Sequence, residues 1–264
     1  MNRLFLKVLF GLLFGFSCTL QATEDKTLSD WHDPAYIEKA FVEIAFKNEY
    51  STKLSTLSKW QEPIRYTFSY HRVHKNPIAE QLFNAHLEQL QSITGHSITQ
   101  AETPEQANLK IILTQDKLYK QDILKYTHSY IKDIERESHC LGHYQKNATG
   151  AINQAVVILP IDHDMARGLL PACVVEETTQ ALGLPNDSDW VNPSIANDSS
   201  KLDLLTGLDY IFLKILYSDQ LHPGMSLQKS RPIIRSRIQQ LNKDGIIKQA
   251  AVLVNQQGLY PLLY

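Results

Sequence analysis

Residues 173–187, which read C-V-V-E-E-T-T-Q-A-L-G-L-P-N-D, constrain the fold more than any other stretch of the sequence. Pro171 fits the first position of a helix, where a missing backbone donor costs nothing. Gly183 fits the residue just past the end of that helix, where a left-handed turn is needed. The spacing therefore predicts a helix of about three turns. Glu176 and Gln180 lie on one face of it, and after Gly183 the chain can fold back toward that face.

This segment resembles the zinc-binding helix of the metzincin metalloproteases, which reads H-E-x-x-H-x-x-G-x-x-H followed by an acidic residue. Glu176, Gln180 and Asn186 stand at the three histidine positions. The other positions of the pattern are matched by Glu177, Gly183 and Asp187. The resemblance implies that Glu177 occupies the catalytic general-base position. It also implies that the scaffold is kept while the zinc ligands are lost.

Two downstream segments extend the resemblance. Ser194-Ile195-Ala196 stands where metzincins carry a Met-turn, with alanine in the methionine place. Residues 205–217 match a closing helix that reads L-T-x-x-D, then apolar residues, then L-Y. On its own, Thr206 with Asp209 three residues later predicts a helix capping box. The resemblance implies that Gly183, Asp187, Ser194 and Asp209 support the former metal site.

The mature chain is also similar to a family of uncharacterised secreted bacterial proteins, a domain of unknown function. Its pattern combines C-x-x-E-E-x-x-Q-x-L-G-L-x-N-D with S-I-x-N-D, then L-T-x-x-D, L-Y and G-M. The matching residues are 173–187, 194–198, 205–217 and 224–225. The resemblance covers about residues 60–225 and implies a zincin-like fold with no established activity.

The substituted triad offers poor ligands for zinc. Gln180 and Asn186 supply only neutral amide oxygens, which suit calcium better than zinc. One carboxylate and two amides would hold zinc too weakly to activate a water molecule. We therefore expect no zinc and no cofactor, with calcium or magnesium left as an alternative, and a protein that is not a zinc protease.

Three functional hypotheses remain open. The first is a non-catalytic binding or structural module, with an unknown protein or cell-envelope partner, in which the former site is a hydrogen-bonded polar cluster. The second is a hydrolase of glycans or peptides that pairs Glu177 with Asp187 or Glu176 as acid and base. The third is a module stabilised by calcium or magnesium through Glu176, Asp187 and amide oxygens.

The amino terminus predicts a secretory signal peptide. Arg3 and Lys7 precede an apolar run at residues 8–16 that is too short to span a bilayer comfortably, and small or polar residues follow up to Ala22. We expect cleavage after Ala22 and export to the periplasm or the extracellular space, without a transmembrane segment in the mature chain. The alternative is a lipoprotein signal in which Cys18 carries the lipid anchor.

Removing the signal peptide leaves two cysteines, Cys140 and Cys173. In an oxidising compartment these are expected to form a disulfide. The alternative is a zinc site that also uses His139 and His143, which are spaced to share one face of a helix.

Composition and periodicity predict an α+β fold, a mixed sheet packed on helices with helical extensions at both ends. The resemblance implies that this fold is zincin-like. Strands are expected at residues 64–70, 109–114 and 154–159, and helices at 33–46, 78–93 and 171–182. Residues 116–149 are ambiguous. The resulting domain organisation is a signal peptide at 1–22, a zincin-like domain with an N-terminal helical segment at 23–225, and a C-terminal helical extension at 226–264. A net charge of -2 without a basic block argues against nucleic acid as a partner.

Overall fold

A mostly parallel sheet forms the centre of the structure, a computed structural model that describes residues 30–47, 54–127, 138–197 and 199–264. The predicted signal peptide, its Cys18 alternative and Asp198 lie outside these residues. In the described part of the chain the strands are β1 (Lys59–Trp60), β2 (Ile64–Tyr70), β3 (Ile98–Gln100), β4 (Leu109–Thr114), β5 (Leu141–Lys146) and β6 (Ala151–Pro160).

The strand order determines where the chain reverses direction across the sheet. Strands β3, β2, β4 and β6 lie side by side and parallel, β1 pairs in parallel with the start of β6, and β5 pairs antiparallel with β6. The chain passes from β2 to β3 on one side and then returns to place β4 on the other side of β2. The topological switch point of the sheet therefore lies between β2 and β4.

Helices cover both faces of the sheet. They are α1 (Pro34–Phe46), α2 (Pro77–Thr94), α3 (Asp116–Thr127), α4 (Ile161–Arg167), α5 (Leu170–Gln180), α6 (Gly207–Leu216), α7 (Leu227–Lys243), α8 (Ile246–Asn255) and α9 (Tyr260–Leu263). A short 3₁₀ turn at Pro104–Gln106 precedes β4. Local chemistry fixes the ends of α2, because the Asn76 side chain accepts from the Ala79 amide at 3.1 Å and Gly95 closes the helix at φ 69°.

The two faces of the sheet carry separate cores. Helix α3 packs on one face over a small cluster formed by Ile112, Tyr119, Ile123, Val156 and Ile158. The neighbouring strand residues Ile111, Leu113, Val157 and Leu159 point to the other face and belong to the main core. Residues 111–113 of β4 and 155–159 of β6 are continuous apolar runs because these parts of the two strands are buried on both faces.

The C-terminal helices belong to the main core. Ile234, Ile238, Ile247 and Val254 are all buried in it. The Gln89 side chain of α2 donates to the Val254 carbonyl at 2.7 Å and to the Gln257 carbonyl at 3.2 Å. Residues 226–264 thus contain α7, α8 and α9, and α7 and α8 pack into the same hydrophobic core as α2 and α6.

Most of the predicted elements are present. The strands expected at 64–70, 109–114 and 154–159 share one sheet, and the mixed α/β class with helices packed on the sheet is confirmed. The ambiguous region contains α3 and the edge strand β5. None of the helices in the described ranges has the length and apolar character needed to cross a bilayer.

Candidate functional site

Helix α5 carries the sequence signature, and the glycine that follows it is required by its surroundings. The helix begins at Leu170, with Pro171 in its first turn, and ends at Gln180, two residues before the predicted end. Gly183 adopts φ 115°, and a Cβ at this position would lie 2.1 Å from the Ser58 carbonyl oxygen. A side chain is therefore excluded both by the backbone conformation and by the close approach of the segment before β1.

The end of α5 is fixed by side chains from elsewhere in the fold. The buried Trp60 indole donates to the Ala181 carbonyl at 2.9 Å, and the Tyr217 hydroxyl donates to the Leu182 carbonyl at 2.9 Å. These bonds satisfy carbonyls that a helix end leaves without intrahelical partners. The positions that follow the helix are therefore held rigidly against the sheet and α6.

Glu177 lies beneath the edge strand β5. A Cβ at Gly142 of β5 would lie 2.8 Å from Glu177 Oε2 and 2.9 Å from its backbone oxygen, so helix and strand touch at this point. The Glu177 side chain is buried, and that of Glu176 is half-buried. Both glutamates take part in interactions within the structure.

The structure brings two of the predicted site residues into direct contact. The Gln180 amide donates to Asp187 Oδ1 at 2.7 Å, so the turn at Gly183 does return the chain to the helix. Asn186 is buried, and its amide donates to the Asp187 backbone oxygen at 2.6 Å. Its own backbone amide points to the Ile44 carbonyl of α1 at 3.3 Å. The side-chain amide and the backbone amide of Asn186 therefore both donate to backbone carbonyl oxygens.

Hydrogen bonds to Asp187 join the side chains of this cluster. The Gln180 amide nitrogen donates to a carboxylate, and the Asn186 amide nitrogen donates to a carbonyl oxygen. Within the described residues, no three or more His, Cys, Asp or Glu side chains are grouped so that they could hold a metal ion. The arrangement serves to order the 183–187 turn.

A second cluster joins Ser194 to the capping box of α6. The buried Asp209 carboxylate accepts from the Ser194 hydroxyl at 2.6 Å, the Ile195 amide at 3.2 Å, and the Thr206 amide and hydroxyl, both at 2.8 Å. Burial raises the pKa of Asp209, and these hydrogen bonds oppose the rise. The Ser188 amide also donates to the Ala196 carbonyl at 2.8 Å. Both predicted supporting residues, Ser194 and Asp209, therefore act on the loop that follows the signature.

Cys140 and Cys173 form a disulfide with their Cα atoms 5.8 Å apart. This geometry contradicts the alternative zinc site, because both thiols are consumed. The two histidines of that alternative do not share a helix either: His143 lies on β5, and His139 precedes that strand. The His139 Nδ1 atom instead lies 3.1 Å from His163 Nε2 of α4.

A third polar cluster was not found from the sequence. His71, directly after β2, contacts Asp122 and Tyr126 of α3 at the carboxyl ends of the central strands. These residues are 51 and 55 positions from His71, and α3 lay in the ambiguous region. The one available signal was the position of His71 at a strand end, where parallel sheets collect functional side chains.

Comparison with known proteins gives a family and no individual relative. No curated protein and no solved structure matches the chain significantly. One family model does match, and it covers residues 34–236, which is more than half of the sequence and includes both clusters around α5. The chain belongs to the family described as Protein of unknown function (DUF2927).

Proposed function

We propose that this chain is an exported, zincin-like binding module that has no zinc-dependent catalysis. The observation that carries the proposal is the 2.7 Å hydrogen bond between Gln180 and Asp187. At a former ligand position, the Gln180 amide nitrogen donates a hydrogen bond to the Asp187 carboxylate. The lone pairs that remain on this side chain are those of a neutral amide oxygen, which is a poor ligand for zinc.

The order of secondary-structure elements supports the zincin-like part of the proposal. The elements follow one another as strand β2, helix α2, strands β3 and β4, edge strand β5, strand β6 and signature helix α5. Helices α3 and α4 are additions to this order. The edge strand β5 runs antiparallel to β6 and lies against α5 at Gly142. The strand, helix, strand, strand and helix expected from the sequence at residues 64–70, 78–93, 109–114, 154–159 and 171–182 are the members β2, α2, β4, β6 and α5 of this order.

The edge of β5 is the surface that we propose for binding. Strand β5 pairs with β6 on one side, and no other strand of the described ranges pairs with its second edge. An extended polypeptide could add there as a further strand, with its main chain supplying the hydrogen bonds. Its side chains would pass over Gly142, directly above Glu177.

The disulfide supports export. Paired cysteines of this kind persist in oxidising compartments and are rare in the cytosol. Cys140 lies directly before β5 and Cys173 lies in the first turns of α5, so the bond fastens the proposed binding strand to the signature helix.

Restoring the histidines tests the zincin-like arrangement. The triple variant Glu176→His, Gln180→His and Asn186→His should bind stoichiometric zinc, measured by calorimetry and by the metal content of the dialysed protein. Zinc should also raise its melting temperature, because a ligand that binds only the folded state stabilises that state. The parent protein should show neither effect.

The matched control retains Asn186 and carries only the other two substitutions. It should bind zinc at least tenfold more weakly than the triple variant, because it lacks the third imidazole ligand. A triple variant that folds normally but binds zinc no better than this control would mean that the three positions do not converge. The zincin-like interpretation would then have to be given up.

A further inference from the structure

The carboxyl ends of β2 and β4 hold a hydrogen-bonded chain of side chains that is separate from the signature helix. It lies at the topological switch point, where open α/β sheets most often bind ligands. Tyr126 packs with the small core under α3, whereas Val174 and Val175 of α5 belong to the main core on the other face. These side chains therefore form a site that does not include the residues at the former zinc positions.

Three contacts define the chain. His71 Nδ1 lies 3.0 Å from Asp122 Oδ1, and the Tyr126 hydroxyl lies 3.1 Å from His71 Nε2. The buried Thr114 hydroxyl donates to the second oxygen of Asp122 at 2.5 Å. Asp122 is thus fixed by β4, and it in turn fixes the imidazole that faces Tyr126.

These contacts decide which nitrogen of His71 carries the proton. A carboxylate accepts hydrogen bonds, so the Asp122 contact places the proton of a neutral imidazole on Nδ1. Nε2 then presents its lone pair and accepts the Tyr126 hydroxyl proton. The order carboxylate, imidazole, hydroxyl is the order of a catalytic triad with a phenol in place of the usual alcohol.

Two neighbouring features support a chemical role. The Lys125 ammonium lies 4.9 Å from the centre of the Tyr126 ring, where it would stabilise negative charge developing on the phenol oxygen. Arg72, next to His71, has φ 54°, an uncommon backbone conformation for a residue other than glycine. Such conformations are concentrated at functional sites.

We propose that Tyr126, His71 and Asp122 form a nucleophilic site that accepts an acyl group from a carboxylic ester. The Tyr126 oxygen forms a bond to the acyl carbon, and the bond from that carbon to the leaving alkoxide or aryloxide breaks. The phenol proton passes to His71 Nε2 and then to the leaving oxygen, while Asp122 stabilises the transient imidazolium. Water then cleaves the tyrosyl ester and releases the carboxylic acid.

Acetylation of the mature protein by p-nitrophenyl acetate tests this proposal. Tyr264 is 88% exposed, whereas Tyr126 is half-buried. Exposure alone predicts that Tyr264 reacts first. The proposed site predicts the opposite order, which peptide mass spectrometry after short reaction times would show. The acetyl found on Tyr126 should not exceed the p-nitrophenolate released, because water also cleaves the tyrosyl ester.

Variants separate the triad from a merely structural network. His71→Gln should slow acetylation of Tyr126 about a hundredfold, which is the usual scale of general-base assistance. His74→Gln, a change to an exposed histidine of the same loop, should leave the rate unchanged. If Tyr264 reacts at the same rate as Tyr126 or faster in the unaltered protein, the proposal is wrong, whether or not the variants fold. A rate at Tyr126 that survives His71→Gln also overturns it.

Discussion

The buried histidine of α2 predicts a specific loss of stability in mild acid. His86 is 0% exposed, and its ring nitrogens lie 3.3 Å from Gln89 Oε1 and 3.2 Å from Thr179 Oγ1. Burial lowers its pKa from 6.5 to about 4, and hydrogen bonds to Gln89 and to the Val175 backbone oppose the shift only in part.

The sign of the effect follows from the two states. Between pH 6.5 and about 4, His86 is protonated in the unfolded chain and neutral in the folded protein. Stability from this group is therefore complete above pH 6.5 and falls as the pH drops toward 4. A pKa shift of one unit corresponds to about 1.4 kcal/mol of unfolding free energy. The shift of the His86 pKa from 6.5 to about 4 therefore lowers the free energy of unfolding in acid by about 3 kcal/mol.

Urea unfolding at a series of pH values between 7 and 4 measures this loss. Carboxylates also titrate in this range, so the informative quantity is the difference in pH slope between the parent protein and His86→Gln. We expect the variant slope to be shallower by up to about 1.4 kcal/mol per pH unit. His74→Gln, at an exposed position, should reproduce the parent slope. Parallel slopes for the parent and His86→Gln would refute the argument.

Three further changes test the region around α5. Gly183→Ala should lower the melting temperature by several degrees or prevent folding, since the added Cβ would lie 2.1 Å from a backbone oxygen; circular dichroism melting measures this. Replacing Cys140 and Cys173 with serine opens a bridge between residues 33 positions apart, and denaturant unfolding should show a loss of about 4 kcal/mol. Gln180→Ala removes the hydrogen bond to Asp187 and should cost about 1–3 kcal/mol in the same assay. A change below about 0.5 kcal/mol would mean that this bond does not stabilise the turn.

Strands β4 and β6 could be predicted because each contains a run of apolar residues. Leu109–Thr114 is buried along almost its whole length, and this pattern needs no knowledge of its neighbours. The edge strand β5 reads L-G-H-Y-Q-K, half-buried or exposed throughout, and such a segment has no apolar signal to detect. The apolar central strands could therefore be predicted from the sequence, whereas this edge strand could not.

The polar clusters could be predicted only where they are local in the chain. Gln180 and Asp187 are seven residues apart, and the intervening glycine indicates the turn that joins them. Ser194 and Asp209 were named through a sequence resemblance, although the hydrogen bond between them depends on how the loop before α6 packs. His71 meets Asp122 only because α3 folds over the sheet, a tertiary event that no local pattern records.

The packing of the C-terminal helices shows that the folding unit extends beyond the segment that the family model matches. The family match ends at residue 236, inside α7, yet Ile238, Leu241 and Ile247 beyond it are buried in the same core as the sheet. A chain cut at that boundary would expose the apolar surfaces of α6 and α7 to water. Residues 237–264 of this chain therefore cover apolar surface that belongs to the matched segment, although the family match does not include them.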